Sequence, residues 1–358
     1  MAAGRDRERG EKTVPMACVL RGVILTALAA VMTGCAVNPV TGKNEIAFVS
    51  EAQETAIGQK NYGPYRQAQG GDYVVEQELT RYVQSVGQRI VKVSDRQLPY
   101  EFSVINDSSP NAWALPGGKI SINRGLLVEL DNEAELAAVL AHEVVHAAAR
   151  HSAQSMERGV FLQGALVATG VALGDSSYRD LGVMGANLGA QLTNQKYGRD
   201  DESEADLYGI RYMVKAGYDP AAAVKLQETF VRLAEGRESN WLAGLFASHP
   251  PSRARVAANR AQVRALGNPG GEIGEARYQK AIARLKRTKP AYEAYDEARW
   301  LLNARYDKYP ALVVQPTGAA DVQSAVTFAR ENNLLRAVKC RRHSAAGKSS
   351  CDKGLQID

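Results

Sequence analysis

Apolar and polar residues alternate with a period of two in YEFSVIN (100–106). They do so again in NAWAL and KISIN, on either side of Pro116-Gly117-Gly118. Three short strands are expected, the last two joined as a hairpin. The rhythm then changes to that of a helix. Asp131-Asn132 opens it, with Glu135 three residues after Asn132 as in a capping box, and the apolar run AELAAVLAHEVVHAAARHS carries it through His151. Upstream, residues 51–95 have helical spacing, with breaks expected at Gly63-Pro64 and Gly70-Gly71. Downstream, GRDDESEADLYGIRYMVKAG is charged first and apolar afterwards, a second helix closed by Gly217. SHPPSRARV reads as a proline-stopped loop leading into another helix, and residues 276–299 as two short helices broken at Pro290. The glycine- and alanine-rich stretch GVFLQGALVATGVALG contains Gln163 and is short for a membrane span, so a buried or membrane-apposed helix is expected. The fold class that follows is α+β, mostly helical, with a small antiparallel sheet beside the HEVVH helix.

The chain ends change this picture. Arg21 precedes GVILTALAAVM, an apolar run too short to cross a bilayer, and Thr33-Gly34-Cys35 follows. MTGC resembles a bacterial lipobox, with Cys35 as the acylated first residue of an exported protein. Residues 1–34 are then a signal peptide, and Met16 is a second candidate start. Residues 35–70 form a turn-rich lead-in segment, 71–268 the main domain, 269–299 a helical extension and 300–358 a separate tail. The net charge of +5 sits at the ends: residues 35–298 hold 29 basic against 31 acidic side chains. No nucleic-acid footprint is expected in the body. The four cysteines, Cys18, Cys35, Cys340 and Cys351, leave the centre without a disulfide framework or a cysteine metal site.

The chemistry concentrates in AHEVVHAAARH, which holds three of the five histidines. His142 and His146 are four apart on one helix face, close enough to share a zinc ion. Glu143 lies beside them and can take a proton from an attacking water that the metal acidifies. His151 falls off that face if the helix continues, which excludes it as the third ligand and suits a capping or solvent role. A catalytic zinc wants three protein ligands and one open position. The next helix offers Glu202 as a ligand and Asp206, one turn along, to hold a histidine ring N–H or to stabilise charge. The same acidic run also suits an ordinary helix start favoured by the macrodipole. His249 can plug zinc's fourth position, contact the transition state, or simply bond a backbone carbonyl.

HEVVH, NAWALPGGKISINRGLL before it, and ESEADLYG and SHPPSRARV after it, in that order, resemble the HtpX-like and CAAX-prenyl-endopeptidase type of zinc metallopeptidases. With NPVTG after the lipobox cysteine, the resemblance is to the exported bacterial lipoprotein branch and covers roughly residues 35–298. It implies a zincin-like fold with His142, His146 and Glu202 as ligands of one zinc per chain. It also implies Glu143 as catalytic acid/base and Asp206 as a second catalytic carboxylate. Gly198 departs from the family, which usually carries serine before the arginine. The strand Asn111-Ala112-Trp113-Ala114 is a candidate edge for binding substrate backbone by strand addition. The expected activity is endoproteolysis of misfolded or unassembled envelope proteins at the periplasmic face of the outer membrane. The alternative is a chaperone-like or scaffolding protein with a latent site, against which an intact Glu143 speaks.

The tail resembles the opening of flavin-linked oxidases of the berberine-bridge type. It reads β–α–β, with ALVVQP, a helix from Asp321 and LLRAVK, and no third strand is expected. Where that family has Gly-Gly-His-Ser to admit the flavin, this chain has Arg341-Arg342-His343-Ser344. No FAD is expected, and the tail reads as a non-functional fragment.

Overall fold

The computed structural model describes residues 35–159, 197–236 and 249–288, and in the tail 312–314, 319–332, 334, 336–338 and 355–357. The expected signal peptide, the glycine- and alanine-rich stretch after residue 159, the expected break at Pro290 and the expected turn at Arg341–Ser344 lie outside them. The lead-in segment pairs β1 (Cys35–Val37) antiparallel with β2 (Asn44–Ile46). Helix α1 (Glu51–Ala68) follows, capped by Ser50 and Gln53 as a reciprocal box. The break expected at Gly63-Pro64 is absent, because Pro64 lies inside α1. Gly63 and Pro64 are exposed, so water can satisfy the carbonyl whose partner proline removes. The second break holds: Gly70 and Gly71 both have positive φ.

Helix α2 (Gln77–Val91) is amphipathic, burying Leu79, Val83, Val86 and Ile90 at spacings of four and three. It packs on β3 and on α4, whose first residue Glu133 accepts from the Tyr82 hydroxyl. In that sheet β5 (Lys119–Asn123) lies between β3 (Glu101–Ile105) and β4 (Ala112–Leu115). The hairpin is as the alternation predicts, β4 antiparallel to β5, with Gly117 and Gly118 at positive φ in its turn. The sheet as a whole is mixed, however, because β3 runs parallel to β5. Residues 106–111 loop past β5, held by Ser109 N–H on Asp107 and Gly125 N–H on the Asp107 carbonyl, so β4 lands on the far edge.

A short turn of helix, α3 (Arg124–Leu127), leads to α4 (Glu133–Ala148). Asn132 caps α4 through Glu135 N–H, and every residue of it except His142 is buried. A helix apolar nearly all round belongs at the centre, and α2, α6, α7 and the sheet all pack on it. The expected run through His151 does not occur. The helix closes at Ala149, Arg150 takes φ +66°, and a new helix α5 occupies 151–159. Arg150 spends its side chain on Glu54 of α1, on Glu157 and on the Val49 carbonyl. Those partners hold the turn.

Helix α6 (Arg199–Lys215) packs most closely on α4, followed by α7 (Ala221–Gly236) and α8 (Arg253–Ala265), which Ser252 caps. At Gly209 an added Cβ would lie 3.3 Å from the His142 backbone nitrogen. Glycine there lets α6 approach the Ala141–His142 turn of α4. Helix α9 (Glu275–Ala281) docks on the body through Tyr278, whose hydroxyl donates to the Leu127 carbonyl. In the tail, β6 (Leu312–Val314), α10 (Ala319–Glu331) and β7 (Arg336–Val338) bear out the β–α–β reading. The expected absence of a third strand is overturned: β8 (Leu355–Ile357) lies between β6 and β7, parallel to both. Its LQI is too short to stand out by alternation, and it gains a place by burying Leu355 against Ala325 and Ala329. Among the described residues no helix is long and apolar enough to cross a membrane.

Candidate metal centre

Because α4 places residues four apart on one face, the His142 and His146 Nε2 atoms lie 3.0 Å apart. Helix α6 carries Glu202 in from the opposite side, with Oε1 3.3 Å from His146 Nε2 and Oε2 3.5 Å from His142 Nε2. The loop before α8 adds His249, whose Nδ1 is 3.3 Å from His142 Nε2 and 2.8 Å from Glu202 Oε1. One donor atom from each of the four residues fits within 4.8 Å of the others. Zinc binds nitrogen and oxygen at roughly 2.0–2.2 Å in tetrahedral geometry, which sets donors about 3.3–3.5 Å apart. The spacing and chemistry of the set therefore fit zinc. His249 belongs to the cluster, and among the described residues it bonds no backbone carbonyl.

The charge pattern is that of a cation site. Burial opposes protonation of His142, but the Glu202 and Asp206 carboxylates outweigh it and lift its pKa to about 10. Burial pushes His146 the other way, well below its ordinary value. Burial would raise Glu202, yet His249 and His142 hold it far below the usual carboxylate range. Glu143, fully enclosed, is raised chiefly by burial. Its Oε2 has no hydrogen-bond partner among the described residues, and its Oε1 lies 3.5 Å from His249 Nε2. A buried carboxylate oxygen left free beside three histidines is placed to take a proton.

The residues around these donors were only partly legible in the sequence. Asp206 Oδ1 lies 3.1 Å from His142 Nδ1, and Arg255 clamps both Asp206 oxygens at 2.7 and 2.8 Å. With both oxygens engaged, Asp206 suits holding the ring N–H, one of the two roles its spacing allowed. Arg255 also lies 2.8 Å from Glu202 Oε2. It sits in SHPPSRARV without a role that spacing could assign, although two buried carboxylates do call for a cation. Tyr197 was not anticipated either; its ring stacks on His146 with centroids 3.8 Å apart. His151 corrects the expectation of a capping or solvent role. It is buried, with Nδ1 2.8 Å from His146 Nδ1 and Nε2 3.2 Å from Glu204 Oε1. Extrapolation at 100° per residue failed because the chain turns at Arg150.

Beside the cluster lies the outer edge of β4, whose residues are all buried. Asn123 N–H bonds the Asn111 carbonyl, so Asn111, Trp113 and Leu115 direct their backbone groups to β5, and Ala112 and Ala114 direct theirs outward. The Ala114 carbonyl accepts from Tyr197 and Ser152 hydroxyls at 3.4 and 3.5 Å. Asn111 Oδ1 is buried with no partner among the described residues.

Comparison with known proteins agrees with this geometry. The putative β-barrel assembly-enhancing protease of Vibrio cholerae is 33% identical over 193 residues, 52% of this chain and 39% of that protein. The mitochondrial metalloendopeptidase OMA1 of Schizosaccharomyces pombe is 40% identical over 181 residues, 49% of this chain and 51% of that protein. The metalloprotease YcaL of Escherichia coli is 29% identical over 244 residues, 64% of this chain and 91% of that protein. The match thus spans about half or less of the first two relatives. Residues 77–263, just over half of the sequence, match peptidase family M48, and they hold every donor of the cluster; the chain belongs to that family.

Proposed function

We propose that this chain is a zinc-dependent endopeptidase of the bacterial cell envelope that hydrolyses peptide bonds in misfolded or unassembled envelope proteins. The observation that carries the reading is the convergence of His142, His146 and Glu202 on one point with the unpartnered Glu143 carboxylate beside it. A zinc ion held by those three would supply Lewis acidity toward the scissile carbonyl and acidify a water. Glu143 accepts the proton of the attacking water and delivers it to the departing amine. Asp206, fixed by Arg255, keeps His142 oriented. The outer edge of β4, with Asn111 Oδ1, would bind an extended substrate segment as an added strand, which tolerates varied sequences, once the Tyr197 and Ser152 hydroxyls release the Ala114 carbonyl. The names of the relatives called β-barrel assembly-enhancing proteases support an envelope role. Cys35 after the apolar leader supports a lipid anchor in the outer membrane. No nucleic-acid partner enters this reading.

The test is metal content and casein hydrolysis. Wild type should carry about one zinc per chain. His146→Ala and Glu202→Ala should lose zinc and activity together, whereas Glu143→Gln should keep zinc and lose proteolysis by two or more orders of magnitude, roughly the scale of general-base catalysis. Full activity in Glu143→Gln would overturn the mechanism. Release from membranes and loss of lipid labelling in Cys35→Ser would support the anchor.

A second reading, a latent peptidase site, draws on His249. Its Nδ1, 2.8 Å from Glu202, lies where a fourth ligand would sit.

A further inference from the structure

We infer that His151 and Glu204 form a relay that orients His146 for the metal, an inference that rests on the proposed zinc site. The argument starts from protons. His146 Nε2 faces His142 and Glu202, so a metal there requires its lone pair, which leaves the ring hydrogen on Nδ1. The atom facing that N–H, 2.8 Å away, is His151 Nδ1. It must accept, so His151 carries its own hydrogen on Nε2, where Glu204 Oε1 waits at 3.2 Å. Only this direction satisfies every ring nitrogen while keeping His146 Nε2 free. The chain Glu204, His151, His146 thus fixes both the tautomer and the rotation of the ligand ring.

The backbone is arranged for this contact. Arg150 adopts φ +66°, and this turn starts a new helix whose first residue is His151. Had α4 run on, His151 would stand off the His142/His146 face. His146 is itself wholly enclosed and has no other acceptor for Nδ1 among the described residues. Glu204 comes from α6, two residues beyond the proposed ligand Glu202. Side chains two apart leave a helix in different directions. Glu202 therefore reaches the donors directly, while Glu204 reaches them from behind through His151. The other ligand histidine has a parallel arrangement in Asp206, so each ring is held at its outer nitrogen by a carboxylate, one directly and one through an imidazole.

The experiment is zinc affinity by competition with a chromophoric chelator, with cobalt substitution to read the ligand geometry. His151→Ala should weaken zinc binding about 10- to 100-fold, the usual range when an outer partner is lost, and should change the visible cobalt spectrum. Because removing a buried ring can also impair folding, Glu204→Ala provides a second arm: its side chain is 19% exposed, and it breaks the relay from outside. That variant should also bind zinc more weakly. Glu204→Gln, whose amide oxygen still accepts from His151, should restore affinity to near wild type. A purely structural role would leave the affinity of the folded variants unchanged. Wild-type protein that binds zinc alongside folded His151→Ala and Glu204→Ala with equal affinity would overturn the relay alone. Failure of the wild type to bind zinc would overturn the metal site and the relay together.

Discussion

At the scale of the residue, the proton arrangement of the cluster is coherent without a metal. A protonated His142 can donate Nδ1–H to Asp206 and Nε2–H to His146 Nε2, which burial keeps neutral. Since His142 rises from its ordinary 6.5 to about 10, its contribution to the stability of the metal-free protein is complete below 6.5. That contribution fades as pH climbs through 10. Zinc must displace the Nε2 proton to bind, so at neutral pH uptake should release about one proton per chain. Calorimetry in two buffers of different ionisation enthalpy would measure it, and uptake without proton release would show that His142 is neutral. His249 makes a separate test. As a plug, its replacement in His249→Ala should raise basal proteolysis severalfold with zinc retained; a fall in activity would instead assign it to the transition state. His142, Glu143 and His146 were legible because helical spacing alone fixes their relation within α4, whereas Glu202 was one option in an acidic helix start until the family resemblance singled it out. Arg255, Tyr197 and the place of His151 were not, because each depends on how separate elements approach or on one backbone turn.

At the scale of the element, that turn is the most informative departure from the sequence pattern. AELAAVLAHEVVHAAARHS has no glycine or proline at the break, so periodicity carries the helix on. What stops it is a side chain with better partners elsewhere: Arg150 reaches Glu54, which is 1% exposed and also bound by Arg96. A left-handed conformation costs a non-glycine residue about 1–2 kcal/mol, and stripping one partner from a buried ion pair costs about 3–5 kcal/mol. Arg150→Ala should therefore unfold at a markedly lower urea concentration. Arg150→Gly should recover about 1 kcal/mol of that loss, since glycine takes positive φ freely. Equal midpoints for the two variants would mean that the turn stores no strain. The hairpin and the capped start of α4 were readable from local chemistry. The parallel addition of β3 and the continuation of α1 through Pro64 were not, since they are set by a long-range pairing and by the exposure of one helix face.

At the scale of the whole molecule, the two flanks of the matched region stand in different relations to the site. The lead-in segment is tied to the body by buried charge: Glu54 meets Arg96 and Arg150, and Phe48 and Val49 N–H groups bond Glu157. The helical extension is tied by Tyr278 and by Arg277 on Glu133. Every donor of the metal cluster and every partner named for it falls between residues 142 and 255. Among the described residues of the tail none contributes to it, and its described strands bury only a small cluster of their own around Leu355. A chain ended after Arg299 should accordingly keep its zinc, its Glu143-dependent proteolysis and its urea midpoint, and an added protease should cut the full chain first in this tail. The purified full-length protein should show no flavin absorbance. Deleting residues 35–70 should do the opposite, leaving Arg96 and Arg150 buried without Glu54 and lowering stability by several kcal/mol. Loss of zinc or activity on removing the tail, or an intact site without the lead-in segment, would reverse this assignment of the two flanks.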